Sequence, residues 1–261
     1  IHHRLVGSEM CIRDSLYVEQ FAHDVNDVIK RSISEGITSF ILPSIDSNYT
    51  KKMLQLKNKF PERIHLMIGL HPTHVDENFE FELENVFNYL NSKNFIAVGE
   101  IGIDLFRDKT KVQLQMDVFY KQIKWAIKFD LPIVIHCREA YEQIFEVLES
   151  FDKNKIRGIF HCFTGNEKQA KKIIDFNMFL GIGGILTFKN SNLQKVVKNI
   201  SLKKIVLETD SPYLAPQPFR GKRNESTYLP IVANRLAEIH RVEISEIAKI
   251  TTSNAKKIFK I

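Results

Sequence analysis

The fold predicted for this 261-residue sequence is of the α/β class, a TIM-type (β/α)8 barrel lacking its native first strand. Two observations lead there. Short runs of β-branched and aliphatic residues alternate with segments of helical periodicity, the pattern of strands buried on both faces and joined by crossover helices. Four of those runs, FIAVGEIGID, LPIVIHCRE, IRGIFHCFTG and KKIVLETDSPY, end in residues suited to metal binding: Glu100 and Asp104, His136, His161, and Asp210. In a closed parallel barrel these ends converge on one rim, so residues far apart in sequence become one site. A doubly wound open sheet would not gather ligands from so many strands.

Taken in order, the helical spacing of Val25, Val28, Ile29 and Ile33 precedes a strand at 37–43, with Gly36 ending the helix between them. Further strands are predicted at 64–70, 95–99, 132–135, 158–160, 178–182 and 204–207. The pair Phe60-Pro61 punctuates the second helix-to-strand joint, and Leu131-Pro132 closes the helix at 118–129, which contains Trp125. After the last strand, Ser245 and Glu246 start one helix, and Thr252 with Asn254 start a final one that runs to the terminal IFKI. No linker or fixed-period repeat interrupts the chain, so one domain is expected.

Composition sets limits. Apolar residues make up 44% and charged residues 26%, ordinary values for a globular chain with a full core. No run approaches the roughly eighteen apolar residues of a membrane span, so no membrane partner is expected. The net charge of +6 is compatible with a polyanionic substrate. Three cysteines suit a reduced cytoplasm better than a disulfide framework. Cys137 and Cys162 each follow a candidate ligand histidine, and strand alternation would turn their thiols away from the rim.

The motifs VGEIGID, IHCRE, FHCFTG, LETDSPYL and PFRGKRNES, in this order, resemble the TatD family of metal-dependent deoxyribonucleases, a branch of the amidohydrolase-like barrels. The resemblance runs from about residue 16 to 261. It implies two divalent ions, whose identity among Mg, Mn and Zn the sequence does not separate. It also implies DNA, as single strands or 3′ ends, as the substrate of a monomeric hydrolase. Members of the family begin with a strand ending in His-x-His-Leu, which supplies two ligands to the first metal. Here the family-like sequence starts at Leu16, and no such pair precedes it; His2-His3 is adjacent rather than alternating. Residues 5–15 instead match a reading frame of a transposon-based sequencing adapter, in which ATG TGT ATA AGA GAC encodes the Met-Cys-Ile-Arg-Asp of 10–14. The expectation is therefore a non-native segment at 1–15, a TatD-like domain at 16–261, and a barrel open between its second and eighth strands. Such a chain would hold at most about one tightly bound ion.

Each motif residue then has an expected role. Glu100, between the two glycines of VGEIG, is the carboxylate placed to bridge two cations about 3.5–4 Å apart. His136 and His161 complete the second metal as neutral imidazoles. Asp210 binds the first metal and orients or deprotonates its water, although Thr-Asp-Ser-Pro is also helix-start chemistry. Asp104 supports a ligand or the water from behind. His71, in IGLHP, is expected at a phosphate or sugar, and Arg138 at a phosphate oxygen. Arg220, Lys222 and Arg223 form a basic loop after the last strand, suited to clamp phosphate. Metal-activated water also serves amide and ester hydrolysis, including deacylation of D-aminoacyl-tRNA, and a chain without the histidine pair could act as a non-catalytic nucleic-acid binder.

Overall fold

Eight parallel strands close into a barrel in sequential order, each followed by helical structure on the outside. The structure, a computed structural model, describes residues 9–92, 94–106 and 108–261, with the backbone alone at 9–13. The strands are β1 (Glu9–Asp14), β2 (Ile37–Leu42), β3 (Ile64–Ile68), β4 (Ala97–Asp104), β5 (Ile133–Arg138), β6 (Gly158–Phe160), β7 (Met178–Ile182) and β8 (Ile205–Ser211). The helices are α1 (Val25–Ser34), α2 (Ser47–Lys59), α3 (Phe79–Asn91), α4 (Val112–Lys128), α5 (Tyr141–Glu149), α6 (Glu167–Asp175), α7 (Leu193–Val197), α8 (Leu229–His240) and α9 (Ile244–Phe259).

Position one of the barrel corrects an expectation. The barrel is not open between its second and eighth strands, because Glu9–Asp14 lies between them. It pairs with β2 through Cys11↔Phe40 and Ile12↔Ile41, and with β8 through Ile12↔Glu208 and Asp14↔Ser211. The physical reason is that the edges of β2 and β8 present N–H and C=O groups that any extended backbone satisfies, whatever its side chains. His2 and His3 lie outside the described residues.

The predicted polar ends are part of the strands rather than loops beyond them. β4 carries GEIGID within the sheet, all eight of its residues buried, and pairs Gly102↔His136 and Asp104↔Arg138 with β5. Gly102, at φ +141°, is required here, since a Cβ would lie 2.1 Å from the His136 carbonyl oxygen.

Inside the barrel, Ile41, Met67, Ala97, Val134, Ile159, Phe179 and Val206, one from each of β2 to β8, form a buried apolar layer. Ala255, Ile258 and Phe259 of α9 pack onto that layer. Strands β2 to β8 also turn side chains outward to the helices, which is why the runs read as continuously apolar. α9 is one uninterrupted helix, so no new helix begins at Thr252. Asn254 is not a cap; its Nδ2 donates to the carbonyls of Leu202 and Ile205 at 2.8 and 2.7 Å, tying α9 to the start of β8.

Candidate metal centre at the barrel rim

Glu100 is the middle of the site. It is 1% exposed, and its Oε1 lies 2.9 Å from His136 Nδ1, 3.4 Å from His161 Nε2 and 3.7 Å from His71 Nε2. β4, β5, the end of β6 and the turn after β3 deliver these four side chains. The rings also touch one another, with His71 and His136 centroids 4.6 Å apart and His136 and His161 at 6.3 Å.

Behind each of two imidazoles stands a carboxylate. His136 lies between two carboxylates, its Nε2 2.9 Å from Asp104 Oδ2 and its Nδ1 2.9 Å from Glu100 Oε1; with the ring proton on Nε2, Nδ1 would offer its lone pair to a cation beside Glu100. Burial alone would raise the Asp104 carboxyl, but the His136 hydrogen bond and charge, the Phe106 N–H and the nearby Arg138 outweigh it and hold the group below the usual range. His161 Nδ1 is 3.1 Å from Glu208 Oε2, which turns Nε2 toward Glu100 in the same way. His71 differs. Its Nδ1 accepts from the Thr73 N–H at 3.2 Å, which leaves the ring proton on Nε2, pointed into the site as a donor.

Two groups have potential ligand atoms all within 4.8 Å of one another: His71, Glu100 and His136, and His161, Cys162 and Glu208. Buried nitrogen and oxygen donors in this number match the chemistry of a divalent cation. Cys162 departs from expectation. The alternation argument does not reach it, because β6 ends at Phe160 and Cys162 adopts φ 46°, leaving its sulfur beside His161. Cys137 remains in the strand, where burial pushes its thiol up to about 12.

Asp210 ends up on the same rim, 7% exposed at φ 62°, within β8. It belongs to neither of the two groups just described. It caps no helix; the Tyr213 N–H donates to its carbonyl in a turn. Glu208, two residues earlier and fully buried, was missed in the sequence. The available signal was the spacing in LETD, since a glutamate in a doubly buried strand needs a partner. Gly181 makes room for it: a Cβ there would meet Glu208 Oε2 at 2.5 Å.

The basic loop divides into two kinds of residue. Arg220 and Lys222 are exposed, over the rings of Phe188 and Phe219 respectively. Arg223 is occupied: it donates to Asp24 Oδ1 and Oδ2 at 2.8 and 2.7 Å and to Glu225 Oε1 at 2.7 Å. Arg31 of α1 completes the network on Glu225 at 2.8 Å. Arg223 thus fastens the loop after β8 to the start of α1. Asn224 anchors the same loop, donating to the carbonyls of Thr209 and Tyr213, both at 2.6 Å.

The hydrogen bond from Arg223 is the main cause that brings the Asp24 carboxyl down from 3.8 to about 2. A depressed carboxylate stabilises the fold above its ordinary value and loses that contribution as pH falls from about 4 toward 2. With the pair partly solvated, about 1 kcal/mol is expected. Urea titrations of Arg223→Met against the parent should show that difference near neutral pH and a narrowing gap across this window. A gap independent of pH would mean that Arg223 stabilises by packing alone.

No helix among the described residues is long and apolar enough to cross a membrane. A family model described as TatD related DNase matches residues 15–260. The uncharacterized metal-dependent hydrolase YabD of Bacillus subtilis is 36% identical over 94% of this chain and 96% of its own length. The 3'-5' ssDNA/RNA exonuclease TatD of Salmonella typhimurium is 28% identical over 95% of this chain and 97% of its own. Among solved structures, the TatD homolog YjjV of Escherichia coli K12 superposes with a TM-score of 0.91 at 25% identity, covering 97% of this chain and 98% of that one.

Proposed function

Because the chain belongs to the TatD family of metal-dependent hydrolases, we propose that its rim site hydrolyses phosphodiester bonds in DNA, working on unpaired strands from the 3′ end. The observation that carries the reading is the convergence of His136, His161 and His71 on one buried carboxylate oxygen of Glu100. The Salmonella relative's name supports the choice of nucleic acid.

In this reading Glu100, His136 and His161 would hold one divalent ion, while Glu100 with Asp210 would offer a second ion only two ligands; Mg, Mn and Zn all suit such donors. The chemistry such ions supply when bound is Lewis acidity, which activates water and offsets charge on phosphate oxygens. The protein's own contribution is orientation. Asp104 and Glu208 fix the ring tautomers of His136 and His161, so the donor nitrogens are set before substrate arrives. His71 presents its Nε2–H to a phosphate or sugar oxygen. An Asp210 carboxylate oxygen takes the proton of the attacking water. Arg138, Arg220 and Lys222 draw the strand's phosphates to the rim.

The test offers the purified chain, supplied with Mg, Mn or Zn in turn, a 5′-labelled single strand, the matching duplex and a D-aminoacyl-tRNA. Stepwise shortening of the single strand from its 3′ end is expected. Deacylation without any shortening would replace this reading with ester hydrolysis.

A further inference from the structure

Beside the metal cluster lies an aromatic surface for which the cluster itself has no use. Phe106 stands just past the end of β4 and is 55% exposed. The Arg138 guanidinium lies over one face of its ring, 3.7 Å from the centroid. A ring covered on one face and still so exposed keeps its other face open to solvent. The Arg138 guanidinium is near enough to Asp104 to help lower that carboxyl, yet among the described residues no hydrogen bond or ion pair ties it down as Arg223 is tied. A solvent-facing ring beside a cation that no hydrogen bond ties down suits a ligand with both a flat face and a negative charge.

The pair is also rigidly registered to the site. The Phe106 N–H donates to Asp104 Oδ1 at 3.0 Å, and the other Asp104 oxygen holds His136. Asp104 and Arg138 are neighbours in the β4–β5 ladder, and the Leu105 N–H donates to the Arg138 carbonyl at 2.9 Å. Ring, guanidinium and metal ligands therefore keep one fixed relation, as positioning of a scissile bond requires.

Resting on the DNA reading above, we propose that Phe106 and Arg138 form a subsite for one unpaired nucleotide, the base stacking on the open face of Phe106 and its phosphate meeting the Arg138 guanidinium. A base inside a duplex has no free face to offer, so the subsite makes the enzyme select unpaired strands. Stacking tolerates any base, so it selects strandedness rather than sequence.

The experiment measures anisotropy of a fluorescent, uncleavable phosphorothioate single strand binding to the parent chain, Phe106→Ala and Phe106→Trp, with divalent ion present. Each is repeated with an abasic strand, and thermal melting checks that the variants fold. Phe106→Ala should weaken binding of the intact strand roughly tenfold and Phe106→Trp should retain it. Loss of the bases should weaken the parent by a similar factor and Phe106→Ala hardly further. Arg138→Gln should reduce the salt dependence of binding by about one phosphate contact. Equal binding by parent and Phe106→Ala, or an equal loss on intact and abasic strands, overturns the subsite while leaving the nuclease reading in place. A parent chain that binds no single strand overturns both.

Discussion

Glu100→Ala is expected to lower hydrolytic turnover by roughly a hundredfold or more and to empty the site of tightly held metal. The expectation follows from where the carboxylate sits. One of its oxygens faces three imidazole nitrogens within 3.7 Å, in a pocket that leaves the residue 1% exposed. Without it the rings face one another with no anionic oxygen between them, and any cation placed there loses both a ligand and the negative charge that offsets its own. Elemental analysis after dialysis, together with turnover on a labelled single strand, checks this. Glu100→Asp distinguishes position from charge: it keeps the charge, withdraws it by about one bond length, and should restore part of the metal but little of the turnover. Near-normal turnover with full metal content in Glu100→Ala would remove Glu100 from the centre of the site.

Why Glu100, His136 and His161 were legible in the sequence is a matter of strand geometry. A polar residue at the end of an apolar run, repeated on several parallel strands, has one place to go, the rim. His71 was legible for the same reason, but its place among the rings around Glu100 was not, because that depends on a turn after β3 rather than on the strand. Glu208 was hidden by its neighbour: Asp210 looks like the last residue of the run, yet β8 continues to Ser211. Phe106 carried no signal, since an aromatic just past an apolar run reads as more of the run. Arg223 was misleading in the opposite sense. A basic loop invites a phosphate, and only the fold brings Asp24 and Glu225 to one of its cations. Strand one shows the limit of pattern arguments: EMCIRD has little strand character, and its place comes from the unpaired edges on both sides.

The second large effect concerns that strand. Asp14 at its end accepts hydrogen bonds from Thr209 and from Ser226, the latter at 2.9 Å. The TatD pattern of His-x-His-Leu ending at Leu16 would place its two histidines at positions 13 and 15, where the sequence has Arg13 and Ser15. Introducing both, Arg13→His with Ser15→His, is expected to add one tightly bound divalent ion per chain and to raise turnover by roughly tenfold or more, since two further imidazoles would join Glu100 and Asp210. Little gain in stability from strand pairing is expected, because Glu9–Asp14 already closes the barrel. Elemental analysis and single-strand hydrolysis of the parent and doubly substituted chains test this side by side. Equal ion content and equal turnover in the two would mean that the first ion does not depend on this histidine pair, and the assignment of two ions to this rim would fall with it.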